Sequence, residues 1–296
     1  MIKKINIFII VALPFLFFSF ILGNSWQEDI WPKNLDVPYV PTPHPVVQKM
    51  LNLADLDKDD IVYDLGCGDG RILIQAAAQY GVEGIGVDID SERIEESRKN
   101  AAAAGVDHLV EFYHQDLFKT DISDASVVML YLISSVNLKL RPKLLRELKP
   151  GTKVISHDFD MDEWRPDKTS SVMVEEEIHK VYYWVIPANI TGKWELKVEN
   201  FSSGINSYLS FDQIYQFPQG KFLTKNGERE LTEVQLNGDR ISFTLEMANG
   251  SLNFTGRIHG DQMQGTVNKG GSNKEYNWKA SRKPHTQEPL KLFSSQ

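Results

Sequence analysis

Three glycines in five residues, Gly66, Gly68 and Gly70 of VYDLGCGDGR, stand between an apolar run that ends in Asp64 and a helical pattern, RILIQAAAQY. A backbone this bare turns sharply and lets a ligand approach more closely than any side chain would permit, while the helix that follows offers its positive end to an anion. A dinucleotide turn of the form Gly-x-Gly-x-x-Gly wants its third glycine at position 71, where this chain has Arg71. The pattern is instead Asp-x-Gly-x-Gly-x-Gly.

The flanking sequence sets the turn in a sheet. A helix begins at Pro45, with Val46, Val47, Met50, Leu51 and Leu53 on one face, and IVYDLG follows as a short strand. The helix after the glycines ends at Gly81, GIGVDID is a second strand, and Asp90 or Ser91 caps a helix that stops at Gly105. VEFYHQDL, ASVVMLYLI and KVISHDF read as strands, with the helix NLKLRPKLLRELKPG before the last, and SSVMVEEEI and KVYYWVIPA complete the set. Strands alternating with helices specify an α/β fold, here a Rossmann-like seven-stranded sheet with helices on both faces, over residues 45–187. From about Ala188 only short strand patterns remain, separated by Asn-Gly, Gly-Asp and Gly-Gly turns, which predicts an antiparallel β domain over 188–283, a sandwich or small barrel. Trp194, Phe211, Phe243, Phe254 and Trp278 alternate with polar neighbours as its core, SYLSFDQIYQF reads as one of its strands, and residues 284–296 read as a loose tail.

In such a sheet, ligands sit at the carboxyl ends of the strands where strand order reverses. Asp88 ends the second strand, close to the spacing at which a carboxylate accepts from ribose hydroxyls, and Asp116 ends the third, placed for an adenine amino group. With the glycine turn, these strand ends suit an adenosyl ligand with a methionine-like tail, S-adenosylmethionine.

The chain here resembles the class I S-adenosylmethionine-dependent methyltransferases, through DLGCGDG, GVDID, QDL and LKPG, over roughly Pro41 to Pro187. The resemblance implies that Asp64, Gly66, Gly68 and Gly70 surround the methionine end, that Asp88 binds the ribose, that Ile89 packs on the adenine and that Asp116 with Leu117 meets its edge. VPYVPTPH, VYDLGCGDGR and LRPKLLRELKPG look like bacterial relatives of the ATP synthase c-subunit lysine N-methyltransferase family, membrane-associated proteins that methylate a protein lysine. That similarity implies that a proline-rich segment closes the site, with Tyr39 and Thr42 near the cofactor. The β domain departs from the family pattern.

Methyl transfer from a sulfonium is an in-line displacement, so alignment and exclusion of water carry most of the catalysis. The expected catalytic residues at the remaining strand ends are Tyr131, His157 and Asp158, although Tyr131, in a run this apolar, reads more readily as core and His157 equally as a structural histidine. No Asn-Pro-Pro-Tyr or Asp-Pro-Pro-Tyr accompanies them, which argues against methylation of a nucleobase amine. HDFDMD contains metal-capable groups, but carboxylates on an open loop are commoner than a metal site, and no metal is expected.

Charge and termini bound the partners. A net charge of -8 with no basic stripe argues against a nucleic-acid partner, and a single cysteine, Cys67, excludes an internal disulfide. Lys3 and Lys4 precede an apolar run over residues 5–23, so residues 1–23 read as a signal peptide or a transmembrane anchor, and 24–44 as an extended proline-rich segment. The expected location is membrane-associated, or periplasmic or secreted after cleavage, with charge flanking that sends the remaining chain out of the cytoplasm. Three readings follow: a methyltransferase for a protein lysine, one for a small molecule, or a non-catalytic exported binding module that keeps the fold.

Overall fold

The computed structural model describes residues 39–199, 207–248, 250–272 and 274–291. The expected leader or anchor at 1–23 and most of the extended segment lie outside the described residues, and no helix among the described residues is long and apolar enough to cross a membrane.

The first half alternates helix and strand: α1 (His44–Ala54), β1 (Ile61–Leu65), α2 (Arg71–Tyr80), β2 (Glu83–Asp88), α3 (Ser91–Ala104), β3 (Val110–His114), β4 (Val127–Leu130), α4 (Ser134–Glu147) and β5 (Lys153–His157). A hairpin of β6 (Lys168–Val174) and β7 (Glu177–Val185) completes the sheet, whose order is β3-β2-β1-β4-β5-β7-β6. Neighbours from β3 to β5 run parallel, and β7 runs antiparallel to both β5 and β6. VVML of β4 is buried throughout, as expected for a parallel strand covered on both faces. The order reverses between β1 and β4, which puts the glycine turn at the switch point.

Local chemistry sets the helix ends. Pro45 lies in the first turn of α1, where its missing N–H costs nothing, and Val46, Val47, Met50, Leu51 and Ala54 form its buried stripe. Gly81 and Gly105 end α2 and α3 with φ of 69° and 71°, and the Asp90 carboxylate accepts from the Glu92 N–H at the start of α3. Helix α4 carries Pro142 in its interior and still continues to Glu147, with Val136, Leu140 and Leu144 packed on the sheet.

The second half is β8 (Gly192–Val198), β9 (Ser207–Ile214), β10 (Phe217–Thr224), β11 (Gly227–Glu230), β12 (Thr232–Asn237), β13 (Arg240–Met247), β14 (Gly250–His259), β15 (Gln262–Lys269) and β16 (Glu275–Arg282). These nine strands form one antiparallel sheet, β11-β10-β9-β8-β16-β15-β14-β13-β12. Its ends approach each other, with the Leu231 N–H donating to the Gly220 carbonyl at 2.8 Å and Arg229 Nη1 to the Glu246 carbonyl at 3.1 Å, so the sheet curls into a nearly closed barrel. The five aromatics expected as core are all buried, and Phe243, Phe254 and Trp278 pack ring against ring. Trp278 Nε1 donates to the carbonyls of Thr255 and Thr266, lying against Gly256, where a Cβ would come within 2.7 Å of the indole.

Two expectations change. SYLSFDQIYQF is not one strand: it breaks at Tyr215 and Gln216, with Tyr215 at φ 51°, and β10 returns from there. The tail is pinned in its described part, where the Glu288 carbonyl accepts from Asn189 Nδ2 and Thr191 Oγ1, and Lys291 pairs with Asp212 at 2.8 Å. The turn at Tyr215 joins the two halves, because its ring is fully buried beside Trp164 and Trp184 in the core under the seven-stranded sheet. Trp164 Nε1 donates to Gln216 Oε1 at 3.0 Å, and Trp184 Nε1 to the Trp164 carbonyl at 2.7 Å. Trp164→Ala is expected to cost about 3–5 kcal/mol, read as a lower urea midpoint, because it opens a cavity and leaves the Gln216 amide oxygen without its donor.

Candidate active site

The turn after β1 is held by β2. The N–H groups of Gly66 and Cys67 both donate to the Val87 carbonyl, at 2.8 and 3.0 Å, and the Gly68 N–H donates to Asp88 Oδ2 at 2.9 Å. Gly66, Gly68 and Gly70 have φ of 90°, 52° and 79°, a region where a Cβ is strained. A Cβ on Gly68 would also lie 2.5 Å from the Tyr39 ring, which rests on the turn beneath the Arg93 guanidinium. Asp88 Oδ1 accepts the Asp90 N–H at 2.9 Å, so the whole carboxylate is fixed at the mouth of the turn with lone pairs to spare.

Asp64 lies directly beneath. Its side chain is buried, and Oδ2 has no hydrogen-bond partner among the described residues. Burial pushes the Asp64 carboxyl up to about 8, and the Asp88 and Asp69 carboxylates add to the rise. Ile89 is exposed at the end of β2, while Asp116 and Leu117 are half-buried beyond β3, with Asp116 Oδ1 accepting the Phe118 N–H. A buried carboxyl held uncharged, an exposed apolar side chain and a fixed carboxylate fit a ligand that carries a cation, a flat ring and a diol.

The other strand ends carry a second cluster. Tyr131, after β4, stacks on His157 with ring centroids 3.9 Å apart. His157, at the end of β5, is fully buried; its Nδ1 is 3.3 Å from Thr42 Oγ1 and its Nε2 is 3.1 Å from Asp158 Oδ2. Burial pushes the His157 imidazole down to about 4, with Asp158 opposing and His179 adding to the fall. The leading segment links the clusters, since Arg71, paired with Asp69 at 2.6 Å, donates from Nη1 to the Thr42 carbonyl at 3.0 Å.

The structure therefore brings Tyr39, Asp64, Gly66, Gly68, Gly70, Asp88 and Ile89 to one side of the switch point, and Thr42, Tyr131, His157 and Asp158 to the other. Two residues of this edge had no sequence signal. His179 comes from β7, and its Nδ1 lies 2.9 Å from Asp158 Oδ2 and 3.0 Å from His157 Nε2. Asn137, buried in α4, donates from Nδ2 to Ser156 Oγ and the Phe159 carbonyl and fixes the loop after β5.

This strand order, with a glycine turn and a carboxylate at its switch point, defines a class I methyltransferase fold. The family described as ANTKMT methyltransferase domain matches residues 64–168. A protein-lysine N-methyltransferase of Saccharolobus islandicus is 48% identical over 151 residues, covering 51% of this chain and 94% of that protein. An ATP synthase c-subunit lysine N-methyltransferase of Xenopus laevis is 34% identical over 135 residues, with 46% of this chain and 59% of that protein aligned. An RNA methyltransferase of Salinibacter ruber, solved with S-adenosyl-L-homocysteine, is 56% identical, covers 51% of this chain and 96% of its own, and superposes with a TM-score of 0.48. The chain belongs to this family of S-adenosylmethionine-dependent methyltransferases.

Asp64 generates two predictions. Its pKa of about 8 stands above an unfolded value of about 4, so the stability it contributes is complete below that lower pH and is lost as pH rises toward 8. Asp64→Asn, which cannot ionise, is expected to match the parent near pH 4 and to exceed it at pH 8 by something of the order of 5 kcal/mol, measured by urea unfolding without cofactor. A bound cation favours the carboxylate, so cofactor binding near pH 7 is expected to release a proton. Titration calorimetry in buffers of different ionisation heat should detect that proton in the parent and none in Asp64→Asn.

Proposed function

We propose that this chain transfers methyl from S-adenosylmethionine to the side-chain amine of a protein lysine. The observation that carries the reading is the 48% identity to a protein-lysine N-methyltransferase of which the chain covers 94%. The edge beyond β4 and β5 supports it, since the partly exposed Asp158 carboxylate stands beside an imidazole that burial holds uncharged.

S-adenosylmethionine supplies a methyl group on a sulfonium, whose bond to sulfur breaks as the bond to the amine nitrogen forms. In this reading Asp88 accepts from the ribose hydroxyls, Ile89 packs on the adenine, Asp116 with Leu117 meets its edge, where Asp116 accepts from the amino group, and the turn from Gly66 to Gly70 with Asp64 receives the methionine end. Tyr39 and Thr42 cover the cleft from the leading segment. The lysine arrives as an ammonium and must lose a proton before it attacks. The Asp158 carboxylate attracts the ammonium and the Tyr131 hydroxyl offers an acceptor to the neutral amine, while His157, buried with both ring nitrogens engaged, backs the Tyr131 ring and Asp158 and so narrows the approach. An uncharged His157 avoids repelling the substrate, which a protonated imidazole at that position would do. The apolar run at residues 5–23 makes attachment to a membrane part of the proposal, with cell fractionation as its check.

The test is incubation of the full chain and methyl-labelled S-adenosylmethionine with protein, RNA and small-molecule fractions. Label in protein that acid hydrolysis releases as methyllysine is expected; label confined to RNA or to small molecules would overturn the reading. Tyr131→Ala, which removes the ring stacked on His157, is expected to lower the transfer rate by about 10–100-fold, with cofactor affinity retained in a binding titration.

A further inference from the structure

His179 gives the acceptor edge a property that methyl transfer does not require. His157 Nε2, His179 Nδ1 and Asp158 Oδ2 form a nearly equilateral triangle with sides of 2.9, 3.0 and 3.1 Å. Each is an atom that carries a lone pair in the neutral imidazole or the carboxylate, and all three converge. We propose that this triangle is a binding site for a divalent transition-metal ion held by two imidazoles and one carboxylate.

The dimensions select a coordination geometry. Ligand atoms about 2.1 Å from an ion and about 3.0 Å from one another subtend about 90° at it, the angle of one face of an octahedron. Tetrahedral ligands at the same bond length stand about 3.4 Å apart. As they stand the three atoms match the octahedral face, and the tetrahedral spacing is reached by opening each side by about 0.4 Å. Three further positions remain for water, on the side where the Asp158 and His179 side chains are 29% and 13% exposed.

The ligands are braced from behind. Asp158 Oδ1 accepts the Lys180 N–H at 2.6 Å, and the Asp158 N–H donates to the Lys180 carbonyl at 2.8 Å, which steadies the residue at its φ of 57°. Thr42 Oγ1 stands 3.3 Å from His157 Nδ1, the far ring nitrogen, where an outer partner fixes the tautomer of a metal-bound histidine. His157 ends β5 and His179 lies in β7, the strand paired with it, while Asp158 follows β5 directly and is held to Lys180 of β7 by the two backbone bonds, so the spacing rests largely on the sheet ladder. The expectation of no metal rested on the carboxylates of HDFDMD alone. The second imidazole comes from a strand that the sequence does not join to β5.

An ion here occupies the groups that face the amine in the proposed reaction and takes up the lone pair of any amine that reaches it. It therefore opposes methyl transfer. The site itself does not depend on that reading, and its measurement involves no methyl transfer, so the two fail separately.

The test is a titration of the full, tag-free chain, stripped by a chelator, with Co²⁺, followed by calorimetry and visible absorption. One ion per chain with the weak absorption of six-coordinate cobalt is expected. His179→Ala and Asp158→Asn, each checked for an unchanged circular dichroism spectrum, are expected to weaken binding by more than about 100-fold. X-ray absorption at the cobalt edge of the parent should show two imidazoles among the ligands, a result that needs no variant. No saturable binding by the parent, a spectrum without imidazole, or equal binding by the two folded variants would overturn the proposal.

Discussion

The hydrogen bond from the Gly68 N–H to the Asp88 carboxylate ties the turn after β1 to the end of β2, and the rest of the site is built around that tie. The Val87 carbonyl takes two more N–H groups of the same turn, so its shape is set by the neighbouring strand. The three positive φ angles follow, and with them the requirement for glycine. Tyr39 can rest on the turn only because Gly68 has no side chain, and Arg71, which opens α2, carries the connection on to Thr42 and so to His157.

The two halves of that edge keep their charges apart. Asp64 is buried deeply enough to be uncharged near neutrality until a cation arrives, whereas Asp88 keeps its two backbone donors at the surface. On the other side of the switch point the sheet holds a buried, uncharged imidazole beside a carboxylate that accepts a backbone N–H. The barrel reaches this machinery only indirectly. Tyr215 packs against Trp164 in the core beneath the sheet, and Gln216 bonds Trp164 and the Arg165 carbonyl in the segment that follows the HDFDMD loop.

The glycine turn and its place in the sheet were legible because the residues are local in sequence. DLGCGDG spans the end of β1, Asp88 ends β2 and Asp116 lies two residues past β3, each beside an apolar run that can be read directly, and strand order does the rest. The barrel core was legible for a similar reason, since alternation of aromatics with polar residues survives any pairing of the strands. His179 was not, because 22 residues and a hairpin separate it from His157, and only the antiparallel docking of β7 on β5 makes them neighbours. Tyr215 escaped because a bulky residue at positive φ gives no turn signal; the fully buried ring, not local propensity, holds it there. The apolar N-terminus lies outside the described residues, and its role rests on its composition.

The most direct measurement is the calorimetric titration of the full chain with S-adenosylmethionine beside Asp88→Ala. Saturable one-to-one binding that weakens by about tenfold or more in the variant, as loss of a charge-assisted bond of about 1.5–3 kcal/mol requires, is the predicted result. Binding by the folded parent that Asp88→Ala leaves unchanged would contradict the account, because the tie between the turn and β2 would then hold the sheet together without holding the cofactor.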